Sequence, residues 1–256
     1  MTEIHPSAIV DKKAQIGDNV TIGAFTIVEG DVVIGDGTSV ASHALIADGA
    51  RIGANCKIHK GAVVSTIPQD LKFGFEESTF EIGDNTTVRE FCTLNRGTKD
   101  RGKSVVGSNC LLMAYAHVAH DCFIGDNVIL ANAVQVAGHV DIEDYVIIGG
   151  LSGVHQFVRV GQHCMIGGIM RIVKDVPPYV LAMGEPLQYG GINSIGLRRR
   201  GFSSDATMNI KRAYRLLYRS KLNVSQAVEK IKQEVKATPE VRNILEFITK
   251  SKRGLI

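Results

Sequence analysis

Aliphatic residues recur at every sixth position through two thirds of the chain. Stepping from Ile4 gives Val10, Ile16, Ile22, Val28, Ile34, Val40, Ile46, Ile52, Ile58 and Val64. The same phase resumes at Ile82, Val88 and Leu94, then runs unbroken from Val106 to Ile172. Of the 29 positions of this frame between 4 and 172, only Asp70, Glu76 and Asp100 are not aliphatic. A helix has its apolar stripe at three and four residues, not at a strict six. An ordinary strand alternates at two and ends after about six residues. A second series, four residues after each aliphatic position, holds small or β-branched residues such as Ala14, Val20, Thr26, Val32, Thr38, Ala62 and Ala116. Residues two apart share one side of a strand, so each hexad offers one small and one larger inward residue. Glycine commonly follows the aliphatic residue, as at Gly17, Gly35, Gly53, Gly125 and Gly167, which suits a tight corner. Short strands joined by regular corners predict a parallel β-solenoid, each coil paired with its neighbours.

The frame breaks at residues 65–79 and 97–105 and returns in phase, which predicts two loops thrown out from the coils. Beyond Ile172, Asp175-Val-Pro-Pro-Tyr179 is expected to end the ladder, because proline cannot donate to it. From about residue 192 the apolar spacing turns helical. Ala206, Ile210, Ala213, Leu216 and Leu217 form one face, and Val224, Ala227, Val228, Ile231 and Val235 another. Thr238-Pro239-Glu240 reads as a helix start, followed by Val241, Ile244, Leu245 and Ile248. The expectation is a mainly β protein, with a β-helix over residues 1–190 and a small α-helical domain over 191–256.

Composition agrees with many turns: 27 glycines, six prolines and no tryptophan. All five cysteines, Cys56, Cys92, Cys110, Cys122 and Cys164, fall in the small inward series. They read as core hydrophobes rather than thiol nucleophiles or metal ligands. Their spacing contains no CxxC pair, the start has no signal-peptide pattern, and no apolar run reaches membrane-spanning length. A cytoplasmic protein is expected. A net charge of +3 is too small to imply nucleic acid. The basic residues gather at Arg198, Arg199, Arg200, Lys211, Arg212, Arg215 and Arg219, where guanidinium groups suit phosphate or an acidic protein partner.

The eight histidines fall at outward or corner positions of the frame. If three hexads make one coil of 18 residues, His120 projects onto position 138, beside His139, and onto 156, beside His155. His117 precedes the same corner. Four histidines are therefore expected along one edge over three coils, each step about 4.8 Å. Imidazole is the natural general base for a hydroxyl near neutral pH. A zinc site using His117, His120 and His139 is the competing chemistry.

The [Ile/Val/Leu]-Gly hexads resemble the bacterial hexapeptide transferases, which implies a left-handed parallel β-helix with three hexads per coil and a homotrimer. The carbonic anhydrases of that fold have two histidines five apart on one coil, a pair absent from this edge, so no metal is expected. Residues 111–122 (LLMAYAHVAHDC), 137–150 (AGHVDIEDYVIIGG), 154–157 (VHQF), 175–180 (DVPPYV) and 196–202 (GLRRRGF) resemble the UDP-N-acetylglucosamine acyltransferases of lipid A biosynthesis. The resemblance covers essentially the whole chain. It implies transfer of an R-3-hydroxyacyl chain from acyl carrier protein to the 3-hydroxyl of UDP-N-acetylglucosamine, without a cofactor, at sites between subunits. By that resemblance His120 is the general base, Asp121 orients it, and the Gly138 N–H is the oxyanion donor. His117, His139, His155 and Gln156 would line the sugar–nucleotide site, and Asp70 and Lys72 would contact substrate from a neighbouring subunit. Asn193, Arg199 and Arg200 would hold the nucleotide end, while Gly168 and Met170 would border the acyl groove. Many members carry Asn-x-Glu-Gly-Leu before the arginines, whereas this chain has Asn193-Ser-Ile-Gly-Leu197, so an acidic contact there is missing or replaced. The related N-acyltransferases carry an extra N-terminal domain; because the hexads here begin at Ile4, O-acylation is expected. A 3-amino analogue of the sugar stays open as acceptor.

Overall fold

The computed structural model describes residues 1–256. Three parallel ladders of two- to four-residue strands form the faces of a triangular prism. The first face starts at Glu3–Ile4, the second at Ile9–Val10 and the third at Gln15–Ile16. Registry follows the repeat: Glu3 pairs with Thr21, Leu111 with Ile129, and His117 with Gln135, each one 18-residue coil apart. Both inward series are buried as expected, with Val118, Val136, Leu130, Ala116 and Val134 fully enclosed. Each such valine or leucine side chain contributes on the order of 1.5–3 kcal/mol of burial. Thr26, Thr38 and Thr86 sit in the small series because their hydroxyls donate to the carbonyls of Ala41, Gly53 and Gly107. The cysteines are buried free thiols, and burial pushes Cys122 up to about 12.

Corners occur at one backbone conformation. The third residue after each inward aliphatic commonly has left-handed φ, as at Asn127 (58°), Tyr115 (64°), Asp121 (57°) and His139 (60°). Asparagine tolerates this region best after glycine. Over its first six coils the third corner accordingly reads Asn19, Gly37, Asn55, Asn85, Asn109 and Asn127, before Tyr145, His163 and Tyr179 take the same position above.

Four expectations need correction. Ile4 is 46% exposed, since the first coil has no coil beneath it to close the core. The second excursion is shorter than residues 97–105, because Lys103–Val106 is a strand that buries Ser104 in the small inward position. The ladder outlasts Asp175: Val176 bridges Val160, and Val180–Met183 pairs parallel with Met165–Ile166. Pro177 and Pro178 fall between those pairings, where no ladder N–H is needed. His163 is 8% exposed rather than outward, for reasons given below.

An antiparallel strand, Gln188–Ile192, covers the edge of Val180–Met183. Helices α1 (Ser194–Arg199), α2 (Ser204–Arg219), α3 (Val224–Glu234) and α4 (Pro239–Lys250) follow. Thr238 caps α4 by accepting from the Val241 N–H, with Pro239 in its first turn. The buried carboxylate of Asp175 ties the chain end to the last coil, accepting from the Ser251 hydroxyl and the Arg159 N–H. No helix is long and apolar enough to cross a membrane.

Candidate active site

Both excursions leave the prism at the second corner, between the second and third faces. The chain passes from Val63–Thr66 to Thr79–Ile82 and from Thr93–Asn95 to Lys103–Val106. The next three coils carry His120-Asp121, Gly138-His139 and Gln156-Phe157 at the same corner. His120 Nδ1 lies 2.8 Å from Asp121 Oδ2, and the Asp121 side chain has no solvent exposure. The two rings of His120 and His139 meet edge to face at 5.1 Å, and His139 stacks on Phe157 at 4.6 Å. His139 also approaches Asp121 (3.8 Å) and Asp100 (3.2 Å). Burial works against the Asp121 charge, but hydrogen bonds from His120 and Thr98 outweigh it and hold the carboxyl below its ordinary value.

With Nδ1 turned to the carboxylate, His120 presents Nε2 over Gly138. A Cβ at Gly138 would lie 2.8 Å from that nitrogen and 2.7 Å from Cε1, so only glycine lets the ring approach this backbone. The Gly138 N–H donates to no group of the protein. An imidazole lone pair thus sits beside an uncommitted backbone donor.

The expected quartet of histidines is divided. His120 and His139 occupy the turn, whereas His117 and His155 line a groove of about 420 Å³ on the second face with Gln135, Gly153 and Arg171. The 18-residue projection gives height correctly, but His117, one place before its strand end, faces outward from the sheet, and His155, one place after its strand end, still lines the same face. His117 bonds Thr93 Oγ1 at 2.8 Å, and burial lowers its proton affinity. His155 Nδ1 lies 3.1 Å from the carbonyl of Gln156, itself exposed beside it. Arg171 and Val173 continue into a second cleft of about 540 Å³ with Ile169, Pro186 and Leu187. Met170 and Gly168 stand at this end of the second face, where a Cβ on Gly168 would lie 3.2 Å from the Gly150 carbonyl oxygen.

The remaining predicted residues lie elsewhere in the chain. Asp70, half-buried, accepts from the Lys72 N–H on the first excursion, where Lys72 is exposed. Asn193 caps α1, accepting from the Gly196 N–H and donating to the His163 carbonyl. Arg199 is exposed; Arg200 lies over the Tyr145 ring at 5.2 Å and 3.4 Å from His163 Nδ1. These three belong to the third corner, across the third face from His120.

Sequence reasoning assigned nothing to Thr98, Arg101 or Phe157. Thr98 and Arg101 lie in a stretch read only as a loop, without periodicity to reveal what it touches. Phe157 was legible, being one coil above His139. A cleft of about 780 Å³ beside His139 and Phe157 is lined by Arg101, Arg159, Lys250, Lys252 and Arg253. His120, Asp121 and His139 have ligand atoms within 4.8 Å of one another, a spacing open to a metal ion. Such an ion would take the carboxylate oxygen that holds His120.

Models of the bacterial transferase hexapeptide repeat match residues 13–48, 31–66 and 103–138, and the second domain of UDP-N-acetylglucosamine O-acyltransferase matches 175–256. The chain is 58% identical over 255 residues to an acyl-[acyl-carrier-protein]–UDP-N-acetylglucosamine O-acyltransferase of Chlorobaculum parvum, covering 99% of this chain and 97% of that protein. It belongs to the UDP-N-acetylglucosamine acyltransferase family. An Aquifex aeolicus member is 60% identical, over 99% of this chain and 97% of its own length. The crystal structure of the Bacteroides fragilis acyltransferase superposes with a TM-score of 0.97 at 49% identity, covering 98% of this chain and 99% of that one. An Arabidopsis acyltransferase gives 0.87 at 34%, covering 98% and 99%. The family match supports the left-handed winding expected from the resemblance to the hexapeptide transferases.

Proposed function

We propose that the protein transfers an R-3-hydroxyacyl chain from acyl carrier protein to the 3-hydroxyl of UDP-N-acetylglucosamine, with His120 as base. One observation carries the assignment of the base: His120 Nδ1 is held by a fully buried carboxylate while Nε2 faces Gly138, whose N–H is uncommitted. Nε2 takes the proton from the sugar hydroxyl as its oxygen attacks the thioester carbonyl. The tetrahedral oxyanion accepts from the Gly138 N–H. Collapse breaks the C–S bond, and the imidazolium returns its proton to the departing carrier thiolate. Asp121 stays ionised throughout and stabilises the imidazolium. The corner is rigid backbone, so base and donor are aligned before substrate arrives.

The active unit is a homotrimer in which neighbours complete each site. At the first corner Phe25 (62%), Tyr115 (60%), Leu151 (67%) and Ile169 (75%) stand exposed in one vertical column, a face suited to a second copy. Arg199 and Arg200 lie too far around the prism to serve His120 of their own chain, which supports donation across an interface. His117, His139, His155 and Gln156 bind the sugar nucleotide, joined by Asp70 and Lys72 of a neighbour, while Asn193, Arg199 and Arg200 hold the nucleotide end. The acyl chain runs along the second face toward Gly168 and Met170. The reduced, buried thiols fit a cytoplasmic site of action.

The test is His120→Ala. Turnover measured by product mass should fall by about two to four orders of magnitude, while oligomer size and sugar-nucleotide binding persist. Turnover like that of the unaltered protein would reject the base.

A further inference from the structure

The carboxylate behind His120 is gripped from outside its own coil. Asp121 Oδ1 accepts the Thr98 N–H at 3.0 Å and the Arg101 N–H at 3.2 Å. Oδ2 accepts the Thr98 hydroxyl at 2.8 Å together with His120 Nδ1 at 2.8 Å. Three of the four donors therefore come from the excursion Arg96–Gly102. The hydroxyl has its direction set: Thr98 Oγ1 also accepts the Asp100 N–H at 3.2 Å, and a carboxylate offers no proton, so its hydrogen points to Asp121.

The excursion is itself fastened at both ends. Gly97 donates to the Thr79 carbonyl at 3.2 Å, and a Cβ on Gly97 would sit 2.3 Å from the Lys103 nitrogen. Gly102 closes back on the Thr98 carbonyl at 2.7 Å. Arg101 reaches over the Phe123 ring, 4.7 Å from its centroid, to place Nη1 2.6 Å from Asp141. Phe123 and Asp141 belong to the two coils above the excursion, so it works as a strap across the second corner.

We infer that Thr98 is a positioning residue for the acyl transfer, acting through Asp121 to fix the imidazole of His120 over Gly138. The inference rests on the reading of His120 as base. A carboxylate held by His120 alone could rotate about its side-chain bonds and carry the ring with it. The two backbone N–H groups anchor Oδ1, and the Thr98 hydroxyl is the one donor besides His120 that fixes Oδ2, the oxygen that sets the ring. Since Nε2 lies against the Gly138 backbone, small tilts of the ring change its line to the substrate hydroxyl, and misplacement of about 1 Å costs up to a hundredfold in rate.

Steady-state kinetics with UDP-N-acetylglucosamine and a 3-hydroxyacyl carrier protein test this. Thr98→Val keeps the shape and deletes the donor; it should lower kcat by about tenfold to a hundredfold with both KM values within about twofold. Thr98→Ser restores the hydroxyl and should recover most of kcat. Thr98→Ala removes the hydroxyl without a methyl against the carboxylate, and should give the same split if valine is not tolerated. His120→Ala is run beside them. If His120→Ala is inactive but the variants lacking the hydroxyl keep kcat, the base stands and the role of Thr98 is overturned. If serine fails to restore kcat, the hydroxyl is not the agent and the inference also falls. Retained turnover in His120→Ala would instead overturn the underlying assignment.

Discussion

The second and third corners are built on the same backbone yet do opposite things with an imidazole. His139 and His163 both take left-handed φ, 60° and 59°, and both stack on an aromatic ring of the following coil. At the second corner the coil below supplies Asp121, a carboxylate with four donors. At the third corner the coil below supplies Tyr145, stacked at 4.7 Å, and Phe202 closes the side at 4.9 Å. Burial, followed by the Arg200 charge, lowers His163 to about 4, so it stays neutral. The backbone donors differ too. Third-corner N–H groups are capped by aspartates of the next coil, as Asp126 caps Ser108 and Asp144 caps Asp126. Gly138 has no such cap. On the reading of His120 as base, the two corners differ in what the adjacent coil leaves unsatisfied or charged, not in the histidine at the left-handed position.

Removing the charge at one corner and the imidazole at the other separates these roles most sharply. Asp121→Asn should lower kcat by about a thousandfold, because the amide loses the charge that supports the imidazolium and favours the wrong tautomer. His163→Phe keeps the aromatic stack and should leave kcat within a few-fold. Equal losses measured at saturating substrate would mean that the two corners are not distinct.

Acid stability gives the next contrast. The folded protein holds His163 neutral down to about pH 4, whereas the unfolded chain binds a proton near the ordinary value of 6.5. The unfolded state therefore carries more protons between these values, and stability falls as pH drops through that window. Thermal midpoints of His163→Phe should decline less between pH 6.5 and 4 than those of the unaltered protein. Parallel declines would show that His163 takes up its proton while folded.

How much of this was legible in the chain follows from what each residue answers to. The six-residue frame reports on burial inside the prism, so the solenoid, its strand positions and the cysteine core could be read directly. His120 and His139 were also within reach, since a fixed coil length turns sequence distance into height. His163 misled because its burial comes from Phe202 and α1, which return from residues 194–202 outside the repeat. Thr98 was hidden for the same reason: an excursion has no register, and only coordinates show which carboxylate it grips. The prolines at 177 and 178 suggested a broken ladder, yet they occupy a place where the backbone donates nothing.

The smallest effect tests the premise that corners choose residues for backbone before chemistry. Asn127 has φ of 58°, and its amide side chain makes no hydrogen bond in the protein, while its N–H donates to the Ser108 carbonyl at 2.9 Å. Its presence is then explained by tolerance of the left-handed region alone. Asn127→Ala should cost about 1 kcal/mol in denaturant unfolding, and Asn127→Gly should be close to neutral because glycine reaches that φ freely. Neither should change kcat, as the third corner holds no reacting group. If alanine is silent at this position, left-handed strain is not what fills the column with asparagine. The second corner would then lose its explanation as well, because His139 and Asp121 could no longer be regarded as residues admitted to a demanding backbone and afterwards set to work by their neighbours.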